Sequence, residues 1–280
     1  MFELPRLQQQ AVGDFHIHPG YSIDAEGTLD EFCLAALSVG LSEICFTTHY
    51  DADPQNFDRD GIMVIDGQKE KLSDDAVKHY LDDITRVHQE YGLMGLMIRP
   101  GLEFSYYEGC EKHFAELQAK FKLYFRLGAA HNIDGLCIND KEDSTKLFAK
   151  YNVEQIADRY FEQLDKLASS GLIDCLAHLD VYRRFGTEFY GDEINSIHRG
   201  RIERLFETMK ANDVGYELNT SAIRHGHFEY YPTMEIVNAA REAGVRLITL
   251  GSDAHCVNQL ALDFDMAATV AHELFPYVDE

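Results

Sequence analysis

Short apolar, β-rich runs alternate with amphipathic segments along the chain. Strands are predicted over residues 12–16, 43–48, 96–104, 123–130, 173–177, 214–218 and 246–250. Helical periodicity falls between or after them, over residues 29–39, 74–90, 153–169, 195–211, 233–243 and 260–274. Strands that alternate with helices pair in parallel, because a parallel connection needs a crossover and a helix supplies it. Seven such units without a break in composition predict one α/β barrel spanning residues 1–280, with an open doubly wound sheet as the competing arrangement. A chain of 280 residues is long enough for that as a single domain.

Local signals mark the helix ends. Thr28, with Glu31 three residues on, is a capping-box signature. Gly40, Gly92, Gly171 and Gly244 follow helical runs as C-terminal stops. Two long connections, residues 50–73 and 132–152, follow strands at the same end, where either would serve as a lid. The six cysteines are scattered with no Cys-x-x-Cys pair, so they read as packing residues rather than a disulfide framework or zinc knot. No run of about 18 apolar residues is present. Residues 1–6 lack the basic-then-apolar order of a secretory leader, so a cytoplasmic protein without a membrane partner is expected. The formal charge of −23 argues against nucleic acid as a partner, since phosphate backbones need a basic footprint. An anionic substrate would need a locally cationic site, and bound metal ions supply one.

The predicted strand ends carry the chemistry. In chain order they read His16-Ile17-His18, Thr48-His49, Gly101-Leu102-Glu103, Ala130-His131, Ala177-His178, Glu217-Leu218-Asn219 and Gly251-Ser252-Asp253-Ala254-His255. In a parallel barrel these ends all face one rim, where active sites are built. His16 and His18 are two apart, so on extended backbone both side chains leave one face, and Asp253 with His255 repeats the spacing. A lone histidine at a strand end is more often a hydrogen-bonded structural residue than a ligand. Six of the thirteen histidines fall at these ends, however, and none of the ends carries a lysine. Imidazoles and carboxylates packed together without a cation would leave costly unsatisfied groups. One zinc takes about four ligands, so roughly eight imply two or three ions, with Glu103 suited to bridging. His79, His88, His113, His198 and His272 lie mostly in helical patterns and read as surface residues.

These motifs resemble the polymerase and histidinol phosphatase (PHP) superfamily. The likeness runs through Asp14-Phe15-His16-Ile17-His18 with Tyr21-Ser22, Thr48-His49, Glu103, His131, His178 and Gly251-Ser252-Asp253-Ala254-His255. Within the superfamily the chain is similar to the histidinol-phosphate phosphatase branch, on Ala130-His131-Asn132-Ile133-Asp134-Gly135, Ala177-His178-Leu179-Asp180 and Glu217-Leu218-Asn219-Thr220-Ser221 through Arg224. Gly128-Ala129-Ala130 departs from the Gly-Ser-Val that this branch often shows. The resemblance implies a distorted (β/α)7 barrel with a centre of two or three zinc, iron or manganese ions. It assigns ligand roles to His16, His18, Asp24, His49, Glu103, His131, His178, Asp253 and His255, and Asp14 is expected to orient the His16 ring.

The expected reaction is hydrolysis of a small phosphate monoester by an in-line water that the ions acidify, with no protein nucleophile. Arg224 and one of Arg183 and Arg184, here Arg183, are expected to clamp phosphate. Asp253 or His255 is expected to protonate the leaving oxygen, and Asn219 to hold substrate or a water. His225-Gly226-His227 mimics the ligand spacing and reads as pocket lining. The alternatives are a phosphatase for another small or nucleotide phosphate, a nuclease of the same superfamily, and a metal-binding module without catalysis.

Overall fold

The computed structural model describes residues 13–274; residue 12 of the first expected strand and the leader reading of residues 1–6 lie outside it. Seven parallel strands close into a barrel: β1 (Gly13–Ile17), β2 (Glu43–Phe46), β3 (Met97–Ser105), β4 (Phe125–Ala129), β5 (Cys175–Leu176), β6 (Gly215–Asn219) and β7 (Leu247–Gly251). Each strand lies between its neighbours in sequence, with β7 against β1 closing the ring. A two-residue extension after β2, His49–Tyr50, pairs with β3 in register His49↔Glu103. The open-sheet alternative is excluded.

The core has two parts, as a barrel requires. Phe15, Cys45, Phe125, Leu127, Cys175 and Ile248 form one buried cluster. They come from five different strands and can meet only inside the ring. A larger cluster lies between the strands and the surrounding helices. Those helices are α1 (Leu29–Ser38), α2 (Asp74–Gly92), α3 (Cys110–Lys120), α4 (Lys141–Lys150), α5 (Val153–Ser169), α6 (Arg183–Tyr190), α7 (Ile202–Ala211), α8 (Met234–Ala243) and α9 (Phe264–Leu274). Helix α5 buries Ile156, Ala157, Tyr160, Phe161, Leu164, Leu167 and Ala168, the three-and-four spacing of a single face. The box at Thr28 forms, its side chain accepting from Glu31 N while Glu31 returns to the Thr28 N–H. Among the described residues no helix is long and apolar enough to cross a membrane.

The structure corrects several expected elements. Residues 50–73 are not a bare loop: they hold a helical turn (Phe57–Asp60) and a hairpin, Ile62–Ile65 with Gln68–Lys71. Residues 132–152 hold a smaller hairpin, Asn132–Ile133 with Leu136–Cys137, followed by α4. Asn56 Nδ2 donates to the Gly135 carbonyl (3.0 Å) and Arg59 pairs with Asp143 (2.8 Å), so the two insertions form one wall beside the site. The expected helix from residue 195 starts only at Ile202, because Gly200 takes a left-handed conformation and breaks the run. Gly92 is the last residue of α2 rather than its stop, and Gly95 provides the left-handed turn. His198, read as a surface residue, is buried beside Glu235 (3.2 Å).

Candidate metal centre

All nine expected ligand positions converge on the rim where the strands end. His16 Nε2 stands 3.5 Å from both Glu103 Oε1 and Asp253 Oδ1. His18 Nε2 stands 3.5 Å from Glu103 Oε2 and 3.4 Å from Asp253 Oδ1. A second group joins Glu103 Oε1 to His131 Nε2 (3.4 Å) and His178 Nε2 (3.2 Å), with the two nitrogens 3.4 Å apart. In a third, Asp24 Oδ2 lies 3.6 Å from His49 Nε2 and 3.5 Å from His255 Nε2, which are 3.4 Å from each other. Glu103 also meets His49 Nδ1 at 2.8 Å. His16, His18, Glu103 and His178 are buried, whereas half of the Asp24 side chain is exposed.

These spacings suit metal binding better than hydrogen bonding. Two atoms each about 2.1 Å from one tetrahedral ion stand about 3.4 Å apart. His16 Nε2 and His18 Nε2 are buried without a hydrogen-bond partner among the described residues, a costly condition that a cation relieves. The far ring nitrogens are by contrast mostly held. His16 Nδ1 lies 2.9 Å from Glu217 Oε1, His131 Nδ1 2.8 Å from Ser105 Oγ, and His255 Nδ1 2.9 Å from the Asp253 carbonyl. Such partners fix the tautomer that leaves Nε2 free to coordinate. Two members of the cluster are held in left-handed backbone, His178 at φ 22° and Asp253 at φ 53°. Strain of this kind persists where the surroundings over-determine a functional site.

The electrostatics follow from the same contacts. Burial alone would strip the proton from His16, but Glu217, Asp253 and Glu103 outweigh it and hold its pKa well above the ordinary value. His49 is raised likewise, against burial, by Asp24 and Glu103. His18 is pushed well down by burial and by the neighbouring His49 and His255 rings. Burial would raise Glu103 and Asp253, yet the imidazoles around them keep both well below the usual carboxylate range. Protons here take the place that divalent ions would fill.

The centre opens into a cleft of about 970 Å³ whose lining includes Asp24, His49, Asp51, Arg184, Arg224 and His255. Arg183 is a correction. It is buried, with Nε donating to Asp180 Oδ2 (2.7 Å) and Nη2 to the Tyr230 carbonyl (2.6 Å). Successive helical residues point about 100° apart, so only one of this pair faces the cleft, and it is Arg184, bonded to Asn139 Oδ1 (2.8 Å). Arg224 lines the cleft while donating to the Ser252 and Asp253 carbonyls (2.8 and 2.9 Å). His225 lines it too, its pKa pushed down to about 3 by burial and Arg184.

Asn219 and Asp14 also differ from expectation. Asn219 is buried and turns Nδ2 to Glu217 Oε1 (2.8 Å) instead of to substrate. Asp14 takes the backbone N–H groups of His16, Ser252 and Ala261, not the His16 ring. The β1–β2 register shifts between Asp14 and Ile17, which breaks the simple alternation behind that expectation. The residue that orients His16 is Glu217. An acid two positions before Asn219 on the same strand end was the available signal.

Fold and donor set together define an α/β barrel whose rim is suited to holding divalent metal. The chain belongs to the PHP family: the PHP domain model matches residues 14–221. A Deinococcus radiodurans protein named a probable histidinol-phosphatase is 28% identical over 90% of this chain and 89% of its own. The histidinol-phosphatase of Lactococcus lactis is 24% identical over 92% and 89%. The solved L. lactis histidinol phosphate phosphatase, complexed with zinc, L-histidinol and phosphate, superposes with a TM-score of 0.74 at 19% identity, covering 95% of this chain and 94% of that one.

Proposed function

We propose that the chain is a metal-dependent phosphomonoesterase of the histidinol-phosphatase type. The observation that carries this is the meeting of nine imidazole and carboxylate side chains whose site-facing atoms have spacings suited to a shared ion. The names of the curated relatives, and the ligands of the L. lactis enzyme, support the same reading.

His16, His18, Glu103 and Asp253 would hold one ion, Glu103, His131 and His178 a second, and Asp24, His49 and His255 a third, with zinc, iron or manganese as candidates. Bound there, such ions acidify water and neutralise charge on phosphate oxygens. Arg184 and Arg224 supply guanidinium forks on the wall beside Asp253. Among the described residues neither has a carboxylate partner: their bonds go to an amide oxygen and to backbone carbonyls. The wall built by the two insertions carries Asp60, Asp140, Glu142 and Asp143 against Arg59 and Lys146, a surplus of negative charge suited to an amine. A small ester with phosphate at one end and a cationic amine at the other, as in histidinol phosphate, matches both walls. Asp253, whose carboxyl His16, His18 and His255 hold well below the usual carboxylate range and whose Oδ1 stands 3.4–3.5 Å from His18 and His16 Nε2, is placed as a ligand.

The test is elemental analysis of the purified protein alongside turnover of histidinol phosphate and a generic phosphate monoester. Undiminished turnover after exhaustive chelation refutes the metal mechanism. Full metal occupancy in both His18→Ala and Asp253→Ala refutes the ligand assignment, and a strong preference for another ester reassigns the substrate.

A further inference from the structure

Strand register places a second layer behind the centre. The His49–Tyr50 extension pairs with β3 as His49↔Glu103 and Tyr50↔Phe104. Residues two further along return to the same face of each strand, so Asp51 follows His49 just as Ser105 follows Glu103. Ser105, buried, also pairs with Ala129 at the end of β4, two residues before His131. Three strands thus bring Asp51, Ser105 and His131 side by side. The Ser105 hydroxyl donates to Asp51 Oδ1, and His131 Nδ1 lies 2.8 Å from the same Ser105 oxygen.

A hydroxyl has one proton and lone pairs to accept with. With that proton given to Asp51, the Ser105 oxygen can only accept from His131. His131 therefore carries its proton on Nδ1 and presents an unprotonated Nε2 to Glu103 and His178, each 3.4 Å away. With an ion held there, His16 would take the same tautomer through direct contact with Glu217, and His255 through a backbone carbonyl. His131 reaches it through a serine.

We propose that Ser105 and Asp51 are positioning residues, a hydroxyl-mediated carboxylate relay that sets the tautomer and orientation of His131 and so the affinity of the ion it helps to hold. This rests on the reading of His131 as a ligand. Asp51 also lines the cleft, so the relay ends where substrate enters.

The experiment measures metal stoichiometry and affinity, by elemental analysis and competition with a chelator, in full-length Ser105→Ala, Ser105→Thr, Asp51→Asn, the Ser105→Ala/Asp51→Asn double variant and His131→Ala, with circular dichroism to verify folding. Loss of such a partner lowers metal affinity roughly 10–100-fold. Ser105→Ala and Asp51→Asn are each expected to weaken one ion by that factor. The double variant is expected to be no worse than the weaker single, because both break one chain, and Ser105→Thr, which keeps the hydroxyl, restores binding. Unchanged affinity in Ser105→Ala with metal lost in His131→Ala overturns the relay alone. Loss in Asp51→Asn with Ser105→Ala intact also overturns it, since Asp51 would then be a direct ligand. Full occupancy in His131→Ala overturns relay and ligand assignment together.

Discussion

Replacing Glu217 by glutamine isolates one proton. The Glu217 carboxylate collects three donors: His16 Nδ1–H, the His178 backbone N–H at 3.0 Å and Asn219 Nδ2–H at 2.8 Å, the last two both on Oε1. Alanine would orphan all three, at about 1–3 kcal/mol for each buried donor. That is a large part of a typical total stability of about 5–15 kcal/mol, so Glu217→Ala is expected to compromise folding. Glutamine keeps the shape. Its oxygen stays at the Oε1 position, where two obligatory donors need an acceptor. Its nitrogen then replaces Oε2, 3.0 Å from His16 Nδ1, and sets an N–H donor against that ring nitrogen, whose remaining acceptor, Oε1 at 2.9 Å, already takes two other donors. The Nδ1–H tautomer that leaves the Nε2 lone pair free for a metal is thereby disfavoured. Loss of a ring-orienting partner weakens metal binding roughly 10–100-fold, or about 1.4–2.7 kcal/mol. Chelator competition on folded Glu217→Gln protein reads that change directly. Affinity equal to that of the parent chain, with the melting temperature also unchanged, would refute the tautomer argument.

Three further outcomes follow from the same geometry. Arg184→Gln is expected to lower kcat/KM for a phosphate monoester by roughly 10–100-fold, the value of one charge-assisted hydrogen bond, while metal content stays full; unchanged kinetics would remove Arg184 from the clamp. Gly251→Ala would place a Cβ 2.3 Å from Glu217 Oε2 and 2.7 Å from His16 Cβ, so it is expected to mimic Glu217→Gln in a chelator titration without altering any ligand; normal metal affinity would contradict that. In the metal-free protein His16, His49 and His178 have pKa values raised, against burial, by the carboxylates they face. Their contribution to stability is complete below the unfolded imidazole value of about 6.5 and is lost as pH rises through the higher folded values. His18, shifted the other way, acts only below that window. The melting temperature of the chelated protein should therefore fall as pH is raised above about 6.5, with metal binding there releasing protons; a rising melting temperature, or no proton release by calorimetry in buffers of different ionisation enthalpy, would refute it.

The barrel was legible because each strand is an apolar run that a helix separates from the next, and each expected strand is found within a few residues of its place. What escaped was short or polar. Helix α4 buries only Asp143, Ser144, Leu147 and Phe148, and α3 only Cys110, Phe114 and Leu117, too few for a clear period. Both hairpins in the insertions turn on Asp-Gly, Asp66-Gly67 and Asp134-Gly135, with every φ positive. That is the residue pair a tight two-residue turn requires, so the signal was present in segments read as loops. In the site, strand-end position was enough for eight of the nine candidate ligands; Asp24, in the turn after β1, came from the family resemblance alone. It was not enough for Asp14, Asn219 and Arg183, whose partners depend on a register shift, on a neighbouring carboxylate and on helical phase. Glu217, Ser105 and Asp51 went unassigned because each acts through another side chain, and such contacts are set by strands far apart in sequence.

The formal charge of −23 fits an anionic substrate once charge is considered locally. At the centre the ligand carboxylates of Asp24, Glu103 and Asp253 contribute −3, and Glu217 against His16 and Asp51 on the cleft wall another −2. Two divalent ions reduce that total to −1 and three reverse it to +1, before Arg184 and Arg224 add +2. Most of the remaining acidic residues lie on the exterior, where salt screens them beyond about 8–10 Å, while a partly buried site is screened less; the buried Asp14 and Asp180 are taken up by backbone N–H groups and by Arg183. The cleft is therefore attractive to a phosphate dianion only when the ions are bound. Without them, the same carboxylates hold protons on His16 and His49 and leave a site close to neutral. Phosphate and metal should accordingly bind with positive coupling, inorganic phosphate tightening the ions as much as the ions tighten phosphate, since linkage is reciprocal.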